Sequence, residues 1–526
     1  MSAMALLRQH GLSEQDATAI LLASGVEDLA DLSVLDPEGC AEVVRSADLK
    51  PVAASRFRRA VRCMKAPAEP ATAAHPLAAV TCALVEVVMP TAEQINAQLA
   101  KGGIVRLPSG VIEIDRPLLM GVSGTVLEGV GPGVTTLRLK KSGEVIQMLS
   151  LLYGVQSSDG KTLLHTSGLI VRNLTFDGGQ SASASNPVVG INQGPSSLDM
   201  NVAMGIYASD VLVSDVTFIN HYGAISMGAL PDAMPVGAHT DAKGNWRFIV
   251  AKGSQPMNNN VRVSGVTTHA VNGSYPGNIG PDKKMKYSMV CISNGTTQTA
   301  TIENCTVNDA DYAFNTEEMT ETTTHFVNCT AMNSRINAFE LQSSALQTLT
   351  NCVAYSTHRD TSVTGHGVGA FYADTPTGIV SMTNCCSFGT WECDVFYIMS
   401  PYHTLTNCHA NGVNVDGSTP FAAFRMAPHI LIAGVGPTLC NCQASNVEGE
   451  AAYQLYENDS PQTYSIVNSY LSAKRHITSI TPRNVRDPDS ERTDDLCRDE
   501  GWELVKEVPH HDASQGGQAS QAARQQ

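Results

Sequence analysis

Residues 301–318 read TIENCTVNDADYAFNTEE, and the pair Asn304-Cys305 near the start of this stretch decides the fold. The same pair returns five more times along the chain. Its asparagines are Asn328, Asn351, Asn384, Asn407 and Asn441, at successive intervals of 24, 23, 33, 23 and 34 residues. A base period of about 23 residues, with insertions of about ten residues in two units, is typical of a repeat that makes one full turn of a β-solenoid.

Stacked turns of this length place equivalent residues in columns. One turn holds three short strands, and each strand lies beside its equivalent in the next turn at roughly 4.8 Å. We therefore predict that the six Asn side chains form a column inside the solenoid, where each amide donates a hydrogen bond to the next. The neighbouring Cys is predicted to be a small buried apolar residue, with disulfides between adjacent turns as the alternative.

The beginning of the repeat region supports the same architecture. A short helix is predicted within PTAEQINAQLAKGG (residues 90–103), with Thr91 and Gln94 as a capping box. The segment LAKGGIVRLPSGVIEIDRPLLMGVSGTVLEGVG (residues 99–131) resembles the start of the right-handed parallel β-helices of the pectate-lyase-like superfold. This resemblance covers residues 80–472 and implies a mainly β fold. It implies no single reaction, because the superfold hosts lyases, hydrolases, epimerases, tailspikes and non-catalytic binders.

The N-terminal residues 1–64 are predicted to form a small all-α domain that precedes the β-helix. Ser13 and the Asp36-Pro37 pair are typical of helix starts, and apolar residues follow at helical spacing. The stretches GLSEQDATAILLASGVEDLADLSVLDPEGC (residues 11–40) and LKPVAASRFRRAV (residues 49–61) resemble a sterile-alpha-motif-like domain. Such a domain implies a protein partner or self-association, and a helical cap or spacer is the alternative.

The remaining segments are assigned from their composition. Residues 65–79 are rich in Ala and Pro and are predicted to be a linker. Residues 473–508 are predicted to cap the C-terminal end of the β-helix. Residues 509–526 are of low complexity and are predicted to be disordered.

Composition narrows the set of partners and compartments. The chain has 526 residues and a formal net charge of −16, and its basic cluster is limited to Arg56, Arg58, Arg59 and Arg62, so no nucleic-acid partner is expected. No run of 18 apolar residues exists, so no membrane span is expected. The start MSAMALLRQHGLSEQ shows no signal peptide, so the default expectation is a cytoplasmic protein whose 14 cysteines are reduced; export by a route without a visible signal is the alternative.

Aromatic residues mark a second repeating register downstream of each Asn-Cys pair. They are predicted to stack inside the solenoid, at Phe314, Phe339, Phe371, Phe396, Phe424 and Tyr453. Because side chains alternate along a strand, the following residues point outward. These outward positions are Asn315, Glu340, Tyr372, Tyr397, Arg425 and Gln454, with a second column two residues further at Glu317, Gln342, Asp374, Met399, Ala427 and Tyr456.

The outward columns contain the groups that polysaccharide chemistry needs. The candidate catalytic residues are Glu317, Glu340, Asp374, Tyr372, Tyr397 and Arg425. Two carboxylates two turns apart, such as Glu317 and Asp374, would lie roughly 9.6 Å apart, as in an inverting glycosidase. A lyase would instead use Arg425 to neutralise a uronate and a tyrosine as the base. An ordinary solvated sheet face is the alternative to both.

A third polar set follows each Asn-Cys pair in the next connection. It comprises Asp309, Asp311, Arg335, His358, Arg359, Asp360, Glu392, Asp394, Asp416 and Glu448. Solvated turns explain it, and a Ca²⁺ site built from carboxylates on neighbouring turns is the alternative, although the fold requires no cofactor.

Two hypotheses of function follow from the sequence. The first is a carbohydrate-active enzyme, a polysaccharide lyase or hydrolase that works in a groove on the outward sheet face. The second is a non-catalytic glycan-binding or structural β-helix that is tethered through residues 1–64. In both, polysaccharide is the expected partner.

Overall fold

The computed structural model describes most of the region between residues 89 and 473. The described ranges are 89–140, 147–157, 162–179, 202–221, 223–240, 246–270, 290–316, 322–342, 345–358, 369–375, 378–399, 402–413, 421–426, 436–447, 451–455, 465–467 and 470–473, with the single residues Thr18, Ile20, Val43, Ser46 and Ala242. The chain divides into two compact units, Met1–Val87 and Val88–Gln526.

In the first unit, the four described residues are helical, and Ile20 and Val43 are buried. The predicted boundaries of the helical domain at 1–64, the linker at 65–79, the cap at 473–508 and the tail at 509–526 lie outside the described residues. Across the described ranges, no helix is long and apolar enough to cross a membrane.

The second unit is a parallel β-helix whose strands form three ladders, which we call A, B and C in chain order. Ladders A and B belong to one 22-stranded sheet and ladder C is an 11-stranded sheet. The strands of ladder A are β1 (Ile104–Arg106), β4 (Val126–Glu128), β15 (Val261–Ser264), β18 (Thr299–Glu303), β21 (Thr323–Val327), β24 (Leu346–Thr350), β27 (Ile379–Thr383), β30 (Thr404–Thr406), β33 (Thr438–Cys440) and β36 (Ser465–Val467). The long strands β9 (Ile170–Asp177) and β11 (Val211–His221) run through both A and B.

Ladders B and C complete each coil. The strands of ladder B are β2 (Gly110–Ile114), β5 (Thr135–Leu139), β16 (Thr267–Ala270), β19 (Thr306–Asn308), β22 (Thr330–Met332), β25 (Val353–His358), β28 (Cys386–Trp391), β31 (His409–Val413), β34 (Gln443–Val447) and β37 (Tyr470–Ala473). The strands of ladder C are β3 (Leu118–Met120), β6 (Leu149–Leu151), β10 (Val202–Ile206), β12 (Gly223–Met227), β17 (Val290–Asn294), β20 (Tyr312–Thr316), β23 (Asn337–Leu341), β26 (Gly369–Ala373), β29 (Asp394–Ile398), β32 (Ala422–Met426) and β35 (Ala451–Leu455).

Two antiparallel hairpins project from the connections that follow ladder C. They are β7 (Gly154–Gln156) with β8 (Leu163–His165), and β13 (Pro235–Thr240) with β14 (Trp246–Val250), the second preceded by a short 3-10 turn at Pro231–Ala233. A small apolar cluster joins them to the side of the β-helix, where Tyr207 meets Phe248 edge to face at 5.9 Å.

The interior of the coils is a continuous apolar core. The predicted aromatic stack runs through it: Phe314, Phe339, Phe371, Phe396 and Phe424 are fully buried, and successive rings lie nearly parallel at 4.8–5.0 Å. The spacing equals the strand separation in a sheet, so each ring packs on its equivalent in the next coil. The predicted inward register is confirmed for these five residues, and the side chain of Tyr453 lies outside the described part.

The Asn column lies outside the coil, so the predicted interior position is wrong. All six asparagines are exposed, and from Asn328 onward each Nδ2 donates to the Oδ1 of the preceding Asn at 3.1–3.2 Å. Their backbones have φ of 53–54°, at the corner between ladders A and B. Asn tolerates this left-handed conformation better than other residues with a Cβ, which explains its recurrence.

Earlier coils meet the same conformational demand with other residues. Asn173 and Asp215 occupy the equivalent corners of β9 and β11 with φ of 58° and 52°, and Gly265 does so between β15 and β16 with φ of 66°. The Cys after each Asn is buried as predicted, and the ten described cysteines are free, so no disulfide joins neighbouring coils among them.

Helix α1 (Ala92–Leu99) covers the first coil and buries Ala92, Ile95 and Leu99 against the core. The predicted capping box is confirmed: Thr91 Oγ1 accepts from the Gln94 amide, and Gln94 Oε1 accepts from the Thr91 amide. Asn96 satisfies the free edge of β3, because its side chain donates to the Pro117 carbonyl and accepts from the Leu119 amide, both at 2.8 Å.

Replacement of Asn351 separates the contribution of the side-chain hydrogen bonds from that of the left-handed backbone conformation. We expect Asn351→Ala to lower the free energy of unfolding by about 2 kcal/mol, since Ala loses the side-chain hydrogen bonds and is strained at φ 54°. Asn351→Gly loses the same hydrogen bonds but keeps the backbone unstrained, and should cost less. Urea denaturation measures both. Equal losses for Ala and Gly would contradict the conformational explanation.

Candidate functional site

The outward face of ladder C carries the candidate residues in the predicted register. Glu340 pairs with Asn315 on one side and with Tyr372 on the other, Tyr372 pairs with Tyr397, and Tyr397 pairs with Arg425. Four of the six candidate residues therefore lie side by side on successive coils. We call the outward face from β20 to β32 the floor.

The floor is more enclosed than a solvated sheet face. Asn315 and Glu340 are each 4% exposed and Tyr372 is 5% exposed, whereas Tyr397 and Arg425 are partly exposed. Tyr372 has the predicted outward register, but it is buried instead of lying on a solvated face. The outward direction of a side chain determines only the side of the sheet on which it lies. At Asn315, Glu340 and Tyr372 that side is shielded from solvent.

Glu340 ends a chain of hydrogen bonds that crosses three coils. Ser293 Oγ donates to Asn315 Oδ1 at 3.3 Å, which orients the amide so that Asn315 Nδ2 donates to Glu340 Oε2 at 2.7 Å. Both contributing residues are buried. The carboxyl group of Glu340 is thereby held in a fixed position on the floor.

Tyr372 and Asp374 form a second hydrogen-bonded pair on the next coil. The Tyr372 hydroxyl donates to Asp374 Oδ2 at 3.0 Å. Burial raises the pKa of Tyr372 far above its usual value, and the negative charges of Asp374 and Glu340 add to the increase. Tyr372 is therefore a hydrogen-bond donor at neutral pH, which removes it as the proton acceptor of a lyase.

Arg425 is held by an acidic partner. Its Nε lies 3.1 Å from Asp394 Oδ2, and its guanidinium lies 5.4 Å from the centre of the Tyr397 ring. Asp394 Oδ1 also accepts from the Ala422 amide at 2.7 Å. The Arg425 side chain is 13% exposed, so its charge is largely committed to the protein.

Glu317 lies outside the described residues, so the pair of Glu317 and Asp374 stays a prediction. Among the described candidates, Glu340 and Asp374 are the two carboxyl groups on the floor. Asp374 continues β26, because its amide donates to the Leu341 carbonyl at 2.9 Å. Glu340 and Asp374 are thus one coil apart and displaced by two residues along the strand. Strand geometry puts their backbones about 8 Å apart.

Two acids of the third polar set, Asp311 and Asp394, lie in ion pairs. Asp311 is fully buried and lies 2.7 Å from Arg335, and Asp394 is the buried partner of Arg425. The prediction of solvated turns is therefore wrong for these two residues. Asp309 instead accepts a hydrogen bond from Asn333. Arg359, Asp360, Asp416 and Glu448 and the His358 side chain lie outside the described part.

A Ca²⁺ site receives no support from the described acids. Within the described ranges, no group of three or more His, Cys, Asp or Glu side chains converges on a point that would hold a metal ion. Two features of the floor were not predicted from the sequence: the hydrogen bond of Ser293 to Asn315, and the contact between Asp394 and Arg425. Ser293 lies before the first Asn-Cys pair, so the spacing of these pairs does not identify its neighbour. The contact of Asp394 depends on the direction of its side chain at the start of β29, about which the spacing carries no information.

A separate polar cluster lies at the corner between ladders B and C in the earlier coils. Asp177 accepts from Asn220 at 2.8 Å and from the Gly179 amide at 2.9 Å, and it pairs with Arg138 at 2.8 Å. These contacts lower its pKa despite burial. His221 lies beside Asp177 and hydrogen-bonds to the Phe176 backbone.

Burial keeps His221 neutral. Its Nε2 atom is buried without a hydrogen-bond partner among the described residues, although the residue as a whole is only half-buried. Burial lowers the pKa of His221 from 6.5 to about 4, which outweighs the opposite effect of Asp177. The backbone bond therefore uses Nδ1, and the ring packs over Gly178, where an added Cβ would lie 3.0 Å from Nδ1.

His221 gives the fold a defined acid sensitivity. Its folded-state pKa is depressed, so between pH 6.5 and about 4 the unfolded chain binds a proton that the folded chain does not. We expect the free energy of unfolding to fall by up to about 3 kcal/mol as pH drops through this window. Urea titrations at several pH values measure the loss.

The matched controls are His221→Gln and His269→Gln. His269 is an exposed histidine on the next coil. The His221→Gln protein should lose this part of the pH dependence, and the His269→Gln protein should keep it. The same pH dependence in His221→Gln as in the unsubstituted protein would assign the acid sensitivity to other groups.

Comparisons with known proteins reveal likeness of fold. No family model matches the chain, and no curated protein matches it. Among solved structures, the A-module of the mannuronan C-5 epimerase AlgE4 from Azotobacter vinelandii is 13% identical, with a TM-score of 0.42 over 75% of this chain and 95% of that chain. PfbA, a surface adhesin of Streptococcus pneumoniae, is 12% identical, with a TM-score of 0.43 over 72% and 87%. The catalytic unit of a thermostable GH87 alpha-1,3-glucanase from Streptomyces thermodiastaticus is 12% identical, with a TM-score of 0.44 over 73% and 61%.

Proposed function

We propose that this protein is a carbohydrate-active β-helix that hydrolyses a polysaccharide on the floor of ladder C. The observation that carries the proposal is the pair of carboxyl groups, Glu340 and Asp374, on adjacent coils of one outward face. Strand geometry puts the backbones of the two residues about 8 Å apart, a separation compatible with the roughly 6.5–9.5 Å between the carboxyl groups of inverting glycosidases.

Each carboxyl group has a part in the proposed reaction. In an inverting pair, one carboxylic acid protonates the glycosidic oxygen while the other carboxylate removes a proton from the attacking water on the opposite face of the sugar. Asn315 holds Glu340, and Tyr372 holds Asp374, so both carboxyl groups have defined positions. Tyr397 remains partly exposed and is the proposed stacking surface for a sugar ring.

Two observations favour hydrolysis over the lyase alternative. A lyase would need a free cation opposite the uronate and a basic tyrosine, for which Tyr372 and Tyr397 were the candidates. Arg425 is paired with Asp394, and the pKa of Tyr372 is raised. The second candidate function is a non-catalytic glycan-binding β-helix, tethered through a protein contact of residues 1–64. The mutual hydrogen bonds of buried floor residues favour this candidate, because such bonds also stabilise an inert sheet face.

A panel of polysaccharides tests the proposal. We expect the protein to release reducing sugar from at least one polymer without forming unsaturated uronate, and we expect the first product to have the inverted anomeric configuration by NMR. Glu340→Gln and Asp374→Asn should each lower kcat by about 10²–10⁴, because each removes one proton-transfer group.

The control is Glu113→Gln, which removes an exposed carboxylate from ladder B. It should leave kcat unchanged, and circular dichroism should show that all three variants are folded. Hydrolysis that survives both floor substitutions would refute the assignment of the site. Glycan binding without product release would favour the non-catalytic candidate.

A further inference from the structure

The floor has a net negative charge. Glu340, Asp374 and Asp394 are acidic, and Arg425 is the one basic residue on the described floor. The charge of Arg425 is balanced by Asp394 at 3.1 Å. Even when one member of the Glu340 and Asp374 pair carries the catalytic proton, the other leaves a negative charge on the floor.

Enclosure strengthens the effect of that charge. Glu340 is 4% exposed, and Tyr372, whose hydroxyl bonds to Asp374, is 5% exposed. Water screens charges poorly at such a site, so a second anion brought within a few ångströms would meet a substantial repulsion. The whole chain adds to this at long range, since its formal net charge is −16.

We infer that the floor of ladder C accepts uncharged polysaccharides and rejects uronate-containing ones. This inference rests on the proposed function and specifies its substrate class. A neutral sugar offers hydroxyl groups that donate to Glu340 and Asp374, whereas a uronate offers an acceptor of the same sign as theirs. Arg425 would favour binding of a uronate only if its ion pair with Asp394 were broken.

Matched polymers isolate charge from sugar identity. Uncharged glucans, galactans and mannans are tested for binding beside derivatives of the same polymers whose C6 hydroxyls have been oxidised to carboxylates. A third set carries methyl esters of those carboxylates, which restore neutrality without restoring the hydroxyl. Binding is measured by affinity electrophoresis and calorimetry, at about 0.1 M and about 1 M salt.

The expected result is that the neutral polymer and its methyl ester bind at least tenfold more tightly than the oxidised polymer at low salt. This difference in affinity between neutral and oxidised polymers should become smaller at high salt, because screening weakens repulsion between charges. In the double variant E340Q/D374N, the ratio of the two affinities should fall about tenfold even at low salt. In E113Q, the ratio should stay as it is in the unsubstituted protein. If the double variant fails to fold, the salt dependence of polymer binding by the unsubstituted protein still tests the inference.

The outcomes separate this inference from the proposed function. Oxidised polymers that bind as tightly as their neutral parents overturn the inference while leaving a glycan-binding floor intact. A preference for neutral polymers that changes neither with salt nor in E340Q/D374N also overturns it, because shape would then explain the preference. If no polymer of either kind is bound or cleaved, the proposed function is overturned together with the inference.

Discussion

One backbone conformation at one corner of each coil holds the architecture in register. Between ladders A and B the chain turns through a residue with positive φ, and the coils supply Asn, Asp or Gly there without exception in the described region from Asn173 to Asn441. The turn sets the phase of the strand that follows. A shift of one residue would exchange the buried Cys with an outward residue and expose an apolar column. The aromatic stack of ladder C depends on that phase, because it lies one strand further along the same coil.

The outward floor inherits its arrangement from the same register. Residues that follow each Phe become neighbours on successive coils although they are more than twenty positions apart in sequence. This explains how isolated residues such as Glu340 and Tyr372 come to share an electrostatic environment. It also explains why the floor is organised by pairs between coils, such as Asn315 with Glu340 and Asp394 with Arg425.

The sequence predicted the fold and the neighbours on the floor, but not burial or ion pairing. A period of about 23 residues and the aromatic register suffice to place Glu340 beside Tyr372, because strand pairing is repetitive. The same repetition misled the interpretation of the Asn column. A recurring polar residue is compatible with a buried hydrogen-bonded column and with an exposed corner, and only the backbone conformation distinguishes them. Burial of Tyr372 and the pairing of Arg425 depend on side-chain packing around the coil, about which periodicity carries no information.

The hydrogen bonds of Asn96 have a consequence for assembly. The terminal strand of a solenoid offers unpaired amide and carbonyl groups that another chain can extend, and in ladder C this role falls to β3. Asn96 occupies the Pro117 carbonyl and the Leu119 amide with its own side chain, and the apolar face of α1 seals the core behind them. These two backbone groups of β3 are therefore already bonded within the molecule and are not available to extend ladder C with a strand of a second molecule.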